Sequence, residues 1–147
     1  MRQKTIFCPE VTPYSFMIIY KSPSATFSII PADSCLILKW QSGAELLQET
    51  EIQSELMKLF DYLSQHKIRA VVIDESDFSL QDKFDLKGWF EFDFIPQLSL
   101  AGIIRTAIIV PASRITEFQA EKVDSFLEPE FYFFSNTAAA MEWIQKI

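Results

Sequence analysis

Arg69-Ala-Val-Val-Ile-Asp74 is a short apolar, largely β-branched run that ends in an acid, and its reading decides the fold class. A strand with one wet face alternates apolar and polar residues. A run without alternation suits a strand covered on both faces, as in the middle of a parallel sheet. Ile104 to Val110 repeats the pattern and Phe131 to Phe134 gives a third such run. Upstream the period changes. Ile52, Leu56, Leu59 and Leu63 recur at helical spacing, with Leu46, Gln53 and Phe60 broadening the face. Ser42-Gly-Ala-Glu45 supplies a capping box at the start of this helix. Downstream, a helical region is expected from about Leu80 to Ala101, kinked at Pro96, and a second around Thr116 to Leu127. A last helix, Thr137 to Ile147, follows Asn136 as N-cap.

Before the first helix the pattern is extended. Phe16 to Tyr20, Thr26 to Ile30 and Ser34 to Trp40 read as strands, and the turn Pro31-Ala-Asp-Ser34 joins the last two as an antiparallel hairpin. Strands, then alternating helix and strand, imply an α/β fold: a mixed sheet with an N-terminal antiparallel hairpin followed by βαβαβα crossovers. At 147 residues the chain suits one domain. Residues 1–15, with Pro9 and Pro13 and no periodicity, are expected to form an N-terminal arm, and residues 16–147 the domain.

Thirteen Lys and Arg against 20 Asp and Glu leave a net charge of −7, with no local basic cluster to engage a phosphate backbone. Nucleic acid is therefore not an expected partner. The longest apolar stretch, Ala101 to Ala112, is interrupted by Arg105 and Pro111 and falls short of a membrane span. Pro9, Glu10 and Pro13 break the apolar segment a signal peptide needs, so a cytoplasmic chain is expected. Cys8 and Cys35 have no metal-ligand or Cys-x-x-Cys spacing and read as free thiols. Three glycines, Gly43, Gly88 and Gly102, make neither a Walker loop nor a dinucleotide fingerprint, and no cofactor is expected. The single histidine, His66, falls near the end of the first long helix, and no catalytic residue is assigned.

Two stretches attract attention. Ligands of open α/β sheets bind beyond the carboxyl ends of the strands, which points to the acidic stretch Asp74 to Asp85, with Asp74, Ser76, Asp77 and Ser79 as candidate residues. An EF-hand reading fails, because Phe78 and Ser79 stand where a ligand and a glycine belong, and no metal site is expected. Ser79 and Asp82 instead suit a helix cap. The other stretch is Trp89-Phe-Glu-Phe-Asp-Phe-Ile95. One helical stripe cannot bury so many aromatics. With Phe92 and Ile95 following Phe84 and Gly88 inward, Trp89, Phe90 and Phe94 become candidates for a partner or ligand surface, unless the N-terminal arm covers them. Trp40 and Trp143 are expected in the core.

Trp40-Gln-Ser-Gly43, the strand ending in Asp74, Pro96-Gln-Leu-Ser-Leu-Ala-Gly102, Ala107-Ile-Ile-Val-Pro111, Phe134 and Ala140-Met-Glu-Trp-Ile144 resemble, in order and spacing, the small SpoIIAA-like proteins of bacteria. That family has the STAS fold, related to CRAL-TRIO lipid-carrier domains, and the resemblance spans roughly Tyr20 to Ile147. In anti-sigma antagonists of this kind an Asp-Ser-Ser-Gly-Leu switch carries a phosphorylated serine. Here the corresponding stretch reads Asp74-Glu-Ser-Asp-Phe-Ser-Leu and lacks it. The resemblance thus implies a non-enzymatic regulatory or interaction module without the phospho-switch motif, working with a protein partner or by self-association. The alternative it implies is a carrier of an apolar small molecule or lipid, for which 14 Phe offer lining material.

Overall fold

A computed structural model describes residues 16–78, 87–116 and 130–146, except for the side chains of 87, 90 and 91. Its centre is one six-stranded mixed sheet in an α/β fold. The strands are β1 (Met17–Lys21), β2 (Ala25–Ile30), β3 (Cys35–Trp40), β4 (Ala70–Asp74), β5 (Arg105–Ile109) and β6 (Glu130–Phe134), and they lie in the sheet in that order. β1 to β3 pair antiparallel, while β3 to β6 run parallel, with Cys35 opposite Ala70 and Ala70 opposite Arg105. The hairpin followed by crossovers read from the sequence is therefore the observed architecture. At the Pro31 turn Ser34 adopts φ 48°, the left-handed conformation that closes it.

Every residue of β4 is buried, which explains its lack of alternation. Val71 and Ile73 face one layer of helices; Ala70 and Val72 face the other. The first layer is built by α1 (Glu49–Met57), α2 (Leu59–Gln65) and α3, the helical segment 87–100. Ile52, Leu56, Leu59 and Leu63 pack there beside Phe94, Ile95 and Leu98, over Phe27, Leu36, Leu38, Trp40 and Ile108. A sheet that grows in one direction through crossovers of one hand keeps those helices on one face. Among the described residues the other face is covered by α4 (Thr137–Gln145), whose Ala140, Met141 and Ile144 pack on Ala70, Val72, Ala107 and Ile109. Small residues at 70 and 107 let the helix approach closely. The side chain of Asn136 accepts a hydrogen bond from the N–H of Ala139 at 2.8 Å, the cap read from the sequence.

Two expectations about the first helix are corrected. It starts at Glu49 rather than near Ser42, with the carboxylate of Glu51 accepting from the N–H of Gln48 at 2.9 Å. Ser42–Leu46 is instead a 3-10 turn that leaves Leu46 87% exposed, so Leu46 does not widen the buried face. Gly43 explains the turn. A Cβ there would lie 2.3 Å from the carbonyl oxygen of Pro23, so only glycine lets the two segments approach this closely. The expected arm at 1–15 with Cys8, the Ser79 and Asp82 cap, and most of the expected helix around Thr116 to Leu127 lie outside the described residues.

Candidate functional site

Three places bring chemistry together. At the carboxyl ends of β3 and β4, parallel register sets Lys39 opposite Asp74. The ammonium of Lys39 lies 3.6 Å from Asp74 Oδ2 and 3.3 Å from Asp77 Oδ2. Both the N–H and the hydroxyl of Ser76 donate to Asp74 Oδ1, at 2.9 and 2.6 Å. Asp74, Ser76 and Asp77 thus converge, while Ser79 lies outside the described residues. Burial alone would lower the pKa of Lys39, but the charges of Asp74 and Asp77 outweigh it and raise the pKa. Lys39 was not legible as a member, because only the strand register brings it here. Lys39 offsets one of the two carboxylate charges and leaves the cluster net negative, and among the described residues no three His, Cys, Asp or Glu side chains gather as a metal site would require.

The aromatic helix differs from the expectation in a specific way. Phe90–Phe94 is a π-helical turn between the α-helical segments Lys87–Trp89 and Ile95–Leu100. Its wider winding advances the buried stripe, so that positions five apart share a face. Trp89 and Phe94 consequently stack at 5.5 Å, with the Phe60 ring edge-on to Phe94 at 5.6 Å. Phe94 is fully buried and is not a surface residue, and Trp89 is partly buried against the core. Phe92, expected inward, is 78% exposed instead. The side chain of Phe90 lies outside the described set. Phe92, Asp93, Pro96, Gln97 and Leu100 are all exposed on α3. Leu100 is 88% exposed.

The third place was missed in the sequence. Glu55 on α1 is buried, and its carboxylate is the hub of a network beneath the β1–β2 turn. The Tyr20 hydroxyl and the Lys58 ammonium donate to Oε1 at 2.9 and 2.7 Å, and the hydroxyls of Ser22 and Ser24 donate to Oε2 at 2.9 and 2.8 Å. Lys58 also donates to the Tyr20 oxygen at 3.1 Å. The oxygen of Ser22 in turn accepts from the N–H groups of Ser24 and Ala25. Burial pushes the pKa of Glu55 up, but the hydrogen bonds from Lys58, Ser24, Ser22 and Tyr20 prevail and hold it below the ordinary value. Those same bonds to Glu55 and Tyr20 raise the pKa of Lys58. With four donors on two oxygens the carboxylate has little acceptor capacity left for a substrate proton or a metal. Its job is to tie hairpin to helix. One signal could have revealed it: position 55 is three after Ile52 and four before Leu59, inside the apolar stripe.

Beside Lys58 lies an open depression of about 550 Å³ lined by Lys58, Asp61, Tyr62, Ser64 and Gln65. Sites for apolar ligands are lined mostly by hydrophobic side chains, so this lining does not suit a lipid tail. No helix among the described residues is long and apolar enough to cross a membrane.

No protein-family model, curated protein or solved structure matches this chain. The Glu55 hub satisfies its own charge, and the strand-end cluster holds its carboxylates by Lys39 and Ser76 with one negative charge left over. The outer face of α3 presents large apolar side chains to solvent.

Proposed function

We propose that this chain is a STAS-like interaction module that works by docking another protein on α3. The observation that carries the reading is the exposure of Phe92 and Leu100, at 78% and 88%, on one face of a helix whose opposite face is packed into the core. Scattered apolar residues on a surface are ordinary, whereas large ones aligned on a rigid element are the usual anchors of an interface. The mixed sheet with its antiparallel edge is in keeping with the resemblance to SpoIIAA-like proteins. Regulation by a partner, without an Asp-Ser-Ser-Gly switch, fits the self-contained Asp74–Ser76–Asp77 loop.

Substitution of Phe92 and Leu100 by serine tests the proposal, with partners recovered by affinity capture and the fold checked by circular dichroism. The expected result is a folded variant that loses specific partners retained by the wild type. An unchanged partner set on a folded variant refutes docking at α3. Native mass spectrometry of the wild type supplies the contrast: a bound apolar molecule surviving gentle ionisation would replace this reading by that of a carrier.

A further inference from the structure

The outer face of α3 exposes two kinds of side chain. Phe92, Pro96 and Leu100 are apolar, and Asp93 and Gln97, their neighbours in sequence, are polar. Asp93 is exposed, and it has no ion pair among the described residues. Phe92 and Leu100 leave an apolar area on the order of 300 Å² in water, short of the roughly 450 Å² of apolar surface per partner that a stable globular interface buries. That area suits a single helix laid along α3. A second copy of the chain is disfavoured by charge, because each brings a net −7 to the contact.

Building on the interaction reading above, we infer that the face of α3 receives an amphipathic helix with an apolar seam and a cationic flank. The seam covers Phe92, Pro96 and Leu100. Lys or Arg on the flank pairs with the carboxylate of Asp93 and with the side-chain carbonyl of Gln97. The acidic chain steers such a partner toward itself, and the apolar side chains fix where it lands. Asp93 therefore sets which partners are admitted, while Phe92 and Leu100 supply most of the binding energy.

The test uses the full chain and two synthetic helical peptides, each with leucines at i, i+3, i+4 and i+7, one flanked by lysines and the other by glutamates. Amide chemical shifts report where they bind, and fluorescence anisotropy reports how tightly. The lysine peptide should shift residues 92–101, and its affinity should fall roughly tenfold or more in Phe92→Ser. Asp93→Lys should weaken the lysine peptide and strengthen the glutamate peptide, reversing their order. If Phe92→Ser abolishes binding but both peptides bind equally well to wild type and to Asp93→Lys, the cationic flank is refuted while the docking face stands. Binding of the lysine peptide that shifts residues elsewhere and ignores Phe92→Ser overturns both. So does the absence of binding by either peptide. A dimer of the wild type that Phe92→Ser dissolves replaces the inferred occupant with a second copy.

Discussion

Replacing Glu55 with glutamine keeps the shape of the side chain and removes its charge. The four donors that converge on the carboxylate, from Tyr20, Lys58, Ser22 and Ser24, then meet one carbonyl oxygen and one amide group that is itself a donor. Hydrogen bonds to a charged acceptor contribute about 1.5–3 kcal/mol and neutral ones about 0.5–1.5 kcal/mol. Two of the four bonds are weakened and the other two must reorganise, so the expected cost is about 3 kcal/mol. For a domain of this size that corresponds to a fall in Tm of roughly 6–12 °C. Urea unfolding followed by circular dichroism measures it at neutral pH. The pH dependence adds a second, independent check. Because the folded-state pKa of Glu55 is held below its ordinary value of 4.5, its stabilisation is present above that pH and is lost as pH falls through the depressed value. The difference between wild type and Glu55→Gln should therefore shrink on acidification. A loss under about 0.5 kcal/mol at neutral pH, or a difference that stays constant into acid, would refute the hub as a structural tie.

Further expectations follow from neighbouring features. Phe94→Ala should cost about 3–5 kcal/mol because it opens a cavity between Trp89 and Phe60, whereas Phe92→Ser should stay within about 0.5 kcal/mol in the same urea assay. Burial, reinforced by the charge of Asp33, pushes the Cys35 thiol up to about 12, so in the native protein it should react with a thiol reagent far more slowly than after unfolding. Gly43→Ala should destabilise the chain by forcing the 42–46 turn away from the Pro23 carbonyl, which thermal unfolding will register. Asn136→Ala should cost about 1 kcal/mol by uncapping α4, with hydrogen exchange in its first turn accelerated.

Strands β4 and β5 were legible because burial on both faces leaves a mark in composition, carried along all of β4 and from Thr106 to Ile109 in β5, whereas the similar apolar run of β6 belongs to a half-exposed edge strand. The core face of α1 and α2 was legible for a related reason: Ile52, Leu56, Leu59 and Leu63 keep one period across the junction at Lys58. The aromatic helix was misread by a single step. An α-helical wheel sends Phe92 inward, and the π turn at Phe90–Phe94 hands that place to Phe94. Nothing in seven residues of local sequence announces such a turn. Lys39 and Glu55 escaped notice because their roles are set at long range. Lys39 meets Asp74 through strand register, and Glu55 meets Ser22 and Ser24 across 33 and 31 positions of chain. Carboxylates at Asp74 and Asp77 could be nominated from their place at the end of a strand, but the cation that bridges them could not.

In the sheet, strand order and chain order are the same from β1 to β6. As a chain lengthens during synthesis, each new strand finds its only earlier neighbour already formed at the growing edge. No strand has to be inserted between two that have paired, so no finished ladder must reopen to admit a latecomer. Assembly can thus proceed by accretion from the hairpin outward, with the unpaired edge moving along the sheet as each strand is added. Helix α4 follows β6 in the chain and packs on the face opposite α1, α2 and α3, so it can cover that face only after the strands beneath it have paired.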